Sequence, residues 1–213
     1  PVGLDGFVGY RARRNYRSPD SIARFIRRTL PFTFECVNDL PGLGVGVTTY
    51  SRPAEQLGLV GKIIHRLLDQ GFTHDDIVIL TLHGAANSVL SACEKVGGYP
   101  LRRFIREYDL VGNQVLTPGK IVFESVGRFK GQQAPAIVLV DIDPPPERLE
   151  HFERLAFAGV TRATVPRAVT LTIVLAPRQR AGDTDAYWKS LLDALAGAGA
   201  IVNDNRQWCV LMP

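Results

Sequence analysis

The sequence predicts an α/β fold: a mainly parallel sheet flanked by helices, with a small α/β C-terminal appendage. Two observations carry the prediction. The short apolar runs Ile77 to Leu80 and Ala136 to Val140 read as strands covered on both faces. Between and on either side of them lie segments with apolar residues at helical spacing, and that alternation marks a parallel sheet with helical crossovers. A third observation, a change of character after Leu175, sets off the appendage.

Taken in order, Ser18-Pro19 offers a helix start, with a hydroxyl able to cap free amides and a proline at the first helical position. Ile22, Phe25, Ile26 and Leu30 follow at helical spacing. Gly42-Leu43-Gly44-Val45-Gly46 has no lysine–hydroxyl pair and no clear strand-to-helix turn at its flanks, and reads as a flexible connection. Ser51 to Pro53 starts a second helix, with Leu57, Val60, Ile64, Leu67 and Leu68 on one face and Gly71 as its stop. After the strand at Ile77 to Leu80, Val89, Leu90, Cys93 and Val96 predict a third helix, ended at Gly97-Gly98. Leu149, Phe152, Leu155 and Ala156 give a further helix, and Val169 to Leu175 a further strand. Pro144-Pro145-Pro146 is linker-like, and no internal repeat is present.

The 213 residues suit one large domain, or a medium domain with a small appendage. Hydrophobic residues make up 46%, enough for a packed core, which excludes global disorder. The net charge of +4 and the pI of about 9.1 lean toward a polyanionic partner. Arg11, Arg13, Arg14, Arg17, Arg24, Arg27 and Arg28 crowd the first 30 residues, as either a phosphate-binding or a solvated face. Cys36, Cys93 and Cys209 are far apart and form no CxxC or Cys/His cluster, which argues against disulfides and zinc and for a reducing cytoplasm. No apolar run approaches the roughly 20 residues of a membrane span, and no signal peptide opens the chain. The start at Pro1, without an initiator Met, suggests a fragment or a processed product.

Three segments carry more than packing information. Asn15-Tyr16-Arg17-Ser18-Pro19 opens the first helix; Phe129-Lys130-Gly131-Gln132-Gln133-Ala134-Pro135 leads into the strand at Ala136; Gly159-Val160-Thr161-Arg162-Ala163 ends the helix from Glu147. Their order, spacing and setting resemble motifs IV, V and VI in the second RecA-like lobe of UvrD/Rep-like superfamily 1 DNA helicases. The resemblance covers about residues 7–175 and assigns 1–176 to that lobe. It implies ATP bound between this lobe and a first RecA-like lobe, with DNA as partner. Arg17 and Arg162 would be the arginines that reach the γ-phosphate, where a planar, permanent cation suits charge spread over the transferred group. Tyr16, Gly131 and Gln133 would lie at the nucleotide. Gln133 stands where the family has a glutamate that contacts the ribose. Ser125 and Lys130 would lie on the DNA-facing side. Arg17 and Arg162 could also pair with acidic surface residues, and Gly131 serves a tight turn on either reading. No GxxxxGK[ST] loop occurs in the sequence, nor an acidic pair before Arg17 that could hold magnesium for ATP, so this chain alone is expected to hydrolyse no ATP.

The tail runs Arg180-Ala181-Gly182-Asp183-Thr184-Asp185-Ala186-Tyr187-Trp188-Lys189, then Leu192-Asp193-Ala194-Leu195 and Asn203-Asp204. It resembles part of the RusA-like Holliday-junction resolvases, whose pattern is DxDN…K…LDAL…DD, over about residues 177–213. Asp183, Asp185 and Asp204 match the metal-binding aspartates and Lys189 the lysine of the following helix. Clustered carboxylates hold Mg²⁺ through hard oxygens, and the metal activates water. Ala186 replaces the expected Asn, and the family's opening strands have no counterpart. The bland alternative is an amphipathic helix packing Trp188, Leu191, Leu192 and Leu195 on the lobe. Three functions follow: half of a DNA helicase joined to a nuclease segment, a junction endonuclease with a DNA-binding lobe, or an inactive fusion of two truncated genes.

Overall fold

The two apolar runs lie side by side at the centre of one sheet. The computed structural model describes residues 14–16, 18–32, 35–37, 42, 44–142, 146–163 and 170–175. Its elements are β1 (Arg14–Asn15), α1 (Asp20–Thr29), β2 (Glu35–Cys36), β3 (Gly44–Thr49), α2 (Pro53–Asp69), β4 (Ile77–Thr81), β5 (Lys95–Val96), β6 (Tyr99–Arg102), β7 (Phe104–Tyr108), β8 (Gln114–Leu116), β9 (Ile121–Ser125), β10 (Ala136–Ile142), α3 (Leu149–Val160) and β11 (Thr170–Leu175). The sheet has seven strands in the order β3-β11-β10-β4-β9-β6-β5. Every neighbouring pair is parallel except the antiparallel β5 and β6. β1 with β2, and β7 with β8, form separate two-stranded ribbons. The α/β class expected from sequence is the class observed.

Alternation along the central strands divides the core in two. Val78 and Leu80 of β4, with Ile137 and Leu139 of β10, pack beside Ile22 and Ile26 of α1 and Phe152 and Val160 of α3. Ile77 and Ile79, with Ala136, Val138 and Val140, face the other way onto Val60, Ile63, Ile64 and Leu67 of α2. Such strands need cover on both faces, which is why their sequence is continuously apolar rather than alternating. Fully burying a side chain of this size contributes roughly 1.5–3 kcal/mol, so the paired strands and their helices supply most of the driving force.

Three local expectations are corrected. Residues 89–96 do not form a helix; a 3-10 turn at Ala85–Asn87 and further turns lead into β5. The Arg103 guanidinium there donates to the carbonyls of Leu90, Ser91 and Cys93, acceptors that a helix would satisfy internally. Residues 44–46 are not a flexible connection but the start of β3, because pairing with β11 overrides the weak strand preference of glycine. Ser18 does not cap α1: the N-cap is Pro19, with no side-chain cap, and Asn15 Oδ1 accepts the Ser18 amide at 3.0 Å. α2 does begin at Pro53, where Glu55 accepts the Ser51 amide at 3.0 Å and pairs with Arg52.

A buried polar knot ties α2 to the sheet. Asp141, near the end of β10, holds a left-handed φ of 57°. Its carboxylate accepts from Thr81 Oγ1 at 2.6 Å, Gln56 Nε2 at 3.0 Å and the Val89 amide at 3.4 Å. Its own amide donates to Gln56 Oε1 at 3.2 Å. Asp141→Ala strands several buried donors and puts an alanine at a left-handed φ, together costing about 3 kcal/mol. At this size that lowers Tm by about 6–12 °C, whereas Asp141→Asn, which keeps an acceptor and tolerates the backbone, should lose less than half as much. Thermal melts compare the two; an alanine variant as stable as the parent would show that the knot does not hold α2.

Candidate functional site

The described parts of the three motif-bearing segments lie at the same end of the sheet. Pro19 packs on Gly42, two residues before β3: a Cβ built on Gly42 would lie 2.9 Å from Pro19 Cβ and 2.7 Å from Ser21 Oγ. Just before β10, the Ala134 amide donates to the Arg162 carbonyl at 3.1 Å, and Ala134 and Ala163 form a parallel bridge. The start of α1, the turn at 131–133 and the end of α3 thus all lie where β3, β11 and β10 begin. Beneath them Ile22, Ile26, Phe129, Ala134, Val160 and Ala163 share one apolar cluster.

Arg162 follows the C-terminus of α3. Its Nε donates to the Ala158 carbonyl at 3.1 Å, and the cation near a helix C-terminus gains from the dipole. α3 can lie this close to β10 because residue 159 is glycine: a Cβ there would come within 2.9 Å of Leu139 Cδ2 and 3.1 Å of Val126 Cγ2. Gln133 and Lys130 are exposed. Gly131 takes a φ of 88°, a conformation that favours glycine, and a Cβ there would meet nothing within 4 Å. Tyr16 is 66% exposed. Arg17 lies outside the described residues, as do Asp183, Asp185, Lys189 and Asp204. Among the described residues no group of three or more His, Cys, Asp or Glu could hold a metal, and no helix is long and apolar enough to cross a membrane.

Ser125 sits apart, at the opposite edge, where β4 and β9 end. Its amide and hydroxyl donate to Glu124 Oε1 at 2.8 and 3.2 Å. The Val126 amide donates to the Thr81 carbonyl, and the Arg128 and Phe129 amides to that of Ser125. The segment 126–133 therefore crosses from the edge holding Ser125 to the edge holding Arg162.

A second feature of the Ser125 edge was not anticipated from sequence. β7 and β8 form a hairpin beyond β6, with Leu110 fully exposed and Val111 86% exposed at its tip. Arg128 stacks 4.7 Å over the Phe104 ring, and Phe104 meets Tyr108 edge-on at 5.2 Å. The turn residues Asp109, Gly112 and Asn113 between apolar stretches are a hairpin signal in the sequence. Asp109 orders the tip: its carboxylate accepts from the Val111 and Asn113 amides at 2.9 and 2.8 Å and from Asn113 Nδ2 at 3.0 Å. Those bonds, the Asn113 side chain first, hold the Asp109 carboxyl below its ordinary pKa.

No family model and no curated protein matches the chain. Among solved structures it is similar to the C-terminal domain of a possible DNA helicase from Lactobacillus plantarum WCFS1. The two share 20% sequence identity and a TM-score of 0.50, over 76% of this chain and 88% of the other. At that identity the likeness establishes a shared fold.

Because the folded pKa of Asp109 is depressed, its ordering of the tip is present above the ordinary aspartate value of 3.8 and is lost as pH falls through the folded value. Amide exchange at Val111 and Asn113 should therefore accelerate below that pH beyond the intrinsic rate, with the amides of β4 unaffected. Equal protection across the titration would refute the role given to Asp109.

Proposed function

We propose that this chain is the second RecA-like lobe of a DNA-processing helicase. One sheet edge supplies arginines to a nucleotide, and the other contacts DNA. The hydrogen bond from Ala134 to Arg162 supports the reading most, because it fastens the turn at 131–133 to the end of α3, at the end of the sheet where α1 also starts. That is the juxtaposition a shared nucleotide site requires. The structural neighbour, the C-terminal domain of a possible DNA helicase, supports the same class of partner.

The residues at this edge suit a phosphate only in part. The Arg162 guanidinium offers a planar, permanent cation, and the open space beside Gly131 admits a ligand near the backbone; Arg17, which the resemblance gives as the second arginine, lies outside the described residues. The phosphate-cradling loop, its lysine and the magnesium carboxylates would come from a first RecA-like lobe. Arg17 and Arg162 would stabilise charge on the transferred group, while Gln133 and Tyr16 hold the nucleoside. The crossing segment 126–133 would carry changes at the nucleotide toward Ser125, Arg128 and Lys130 at DNA.

The nuclease-like pattern of the tail remains a reading of the sequence. Asp183, Asp185 and Asp204 would hold Mg²⁺, with Lys189 offsetting their charge.

The purified 213-residue chain should show no DNA-stimulated ATPase. Supplying a first lobe should create one, and Arg162→Ala should lower its rate by about 10³-fold or more, the range for an arginine that completes a phosphoryl-transfer site. An ATPase rate in the chain alone that survives Arg162→Ala would sink the half-site reading. For the tail, Mg²⁺-dependent cleavage of a four-way DNA junction should vanish in Asp183→Asn, and absence of cleavage by the parent chain removes the nuclease function.

A further inference from the structure

The two flanks of the main sheet are finished differently. On one flank β5 is two residues long, carries Lys95 and returns through Gly97 and Gly98 to Pro100 of β6. Short outer strands, lysine and proline are devices that keep a sheet from pairing further. On the other flank β3 has six residues, Gly44–Thr49, with no charge and no proline. Among the described residues its only strand partner is β11. Alternate residues of a parallel strand bond to alternate sides, so every second amide of β3 points away from β11. A Cβ built on Gly44 would meet nothing within 4 Å. This flank is open and unguarded.

The course of the chain indicates the occupant. β3 connects to β4 through α2, three positions along the sheet, over the face of Ile77 and Ile79. β10 connects to β11 through α3, one position in the opposite direction, over the other face. Opposite directions on opposite faces make the two crossovers the same hand, and parallel sheets hold to one hand. A further step away from β10 therefore runs over the side of α1 and α3, and its first free position is outside β3. β11 delivers the chain to that place, because Leu175 lies opposite Thr49. The residues that follow show helical spacing at Trp188, Leu191, Leu192 and Leu195, then the uncharged run Trp208-Cys209-Val210-Leu211-Met212. Residues 176–207 are more than the dozen or so that a parallel crossover needs.

We propose that residues 208–212 dock along the outer side of β3 as a further parallel strand, with residues 183–198 crossing the sheet on the side of α1. The inference rests on the fold alone and needs nothing from the helicase reading. It competes with a metal site in the tail. Asp183 and Asp185, soon after β11, would stand where the strands finish, and Asp204 where they start. A five-residue strand spans roughly 17 Å, whereas the ligands of one Mg²⁺ lie about 2 Å from it. The two readings of the tail exclude one another.

The test is amide hydrogen exchange of the full chain by NMR, with tryptophan emission beside it, since both tryptophans, Trp188 and Trp208, lie in the tail. In the parent the amides of Val45 to Thr48 should all be protected, whereas an undocked tail leaves every second one open. Val210→Pro and Leu211→Pro each delete one amide donor. Only one of two successive amides faces β3, and an outer strand tolerates proline where its N–H would face solvent. One of the two variants should therefore speed exchange of the outward β3 amides about 10-fold or more and shift the emission to the red. The other should change neither, and exchange in β4 should be the same in both. If alternate β3 amides are open in the parent, or both prolines act alike, the docking is overturned. If outward protection rises with protein concentration and size exclusion gives a dimer, a second copy holds the flank and the proposal falls. Mg²⁺-dependent junction cleavage that Asp183→Asn and Asp204→Asn both abolish would bring those residues together and overturn it too. None of these outcomes bears on the helicase-lobe reading, which the ATPase experiment tests separately.

Discussion

Strands β4 and β10 lie against one another with every residue from Ile77 to Thr81 and from Ala136 to Ile142 buried, and the rest of the architecture answers to that pairing. A strand apolar on both faces cannot meet water, so α1 and α3 must close one side and α2 the other. The parallel direction has a second consequence. Each return connection must carry the chain back across a face of the sheet, so the starts and ends of strands gather at two separate edges. Groups that need solvent or a partner are thereby driven to the edges, while the middle stays dry and rigid.

The two edges are differently built. At the strand starts, Arg162 and Gln133 are placed by a backbone hydrogen bond and by the fit of Gly159 on Leu139, so their positions follow from the packing of α3. At the strand ends, Asp141 gathers Gln56, Thr81 and Val89, fastening α2 and the loop before β5 to the ends of β4 and β10. Segment 126–133 belongs to both edges. It begins on the Thr81 carbonyl, buries Phe129 in the core, and ends beside Arg162. Val160 and Ala163, on either side of Arg162, share one apolar cluster with Phe129, and interiors at crystal-like density transmit strain from one to the other.

Much of this was legible in the residues, for stated physical reasons. The runs at 77–80 and 136–140 read as strands because they are short, rich in β-branched side chains and bounded by turn-forming residues, which separates them from a buried helix. Val60, Ile64 and Leu67 fall on one helical face, and Gly71 ends that helix with a φ of 92°. Residues 89–96 show where the same logic misleads. Their apolar spacing is helical, but what decides their backbone is Arg103, ten or more positions away, whose guanidinium takes up their carbonyls. The glycines at 44 and 46 fail in the converse way: locally they argue against a strand, and β11 supplies the pairing partner that makes one. The adjacency of Gln133 and Arg162 was available only through a resemblance. Nothing in either segment specifies that Ala134 and Ala163 should bridge.

If this edge is a half-site as proposed, the electrostatics of an open edge would make it depend on a second surface. A guanidinium 4 Å from a phosphate charge is worth about 1 kcal/mol in bulk water and about 4 kcal/mol at the effective dielectric of a partly enclosed site. Arg162 is half-buried and Gln133 exposed, so a nucleotide resting on this edge alone would meet most of its charge through water. Closing a second surface over the same nucleotide expels that water and strengthens each contact severalfold without moving an arginine. The affinity would then belong to the closed state, and binding energy would drive closure in proportion to how much better the closed state holds the ligand. On the proposed reading, an edge that presents Arg162 and holds little of a nucleotide alone is what such a mechanism requires of its second half, since a lobe that bound tightly when open would have no free energy left to couple to closing.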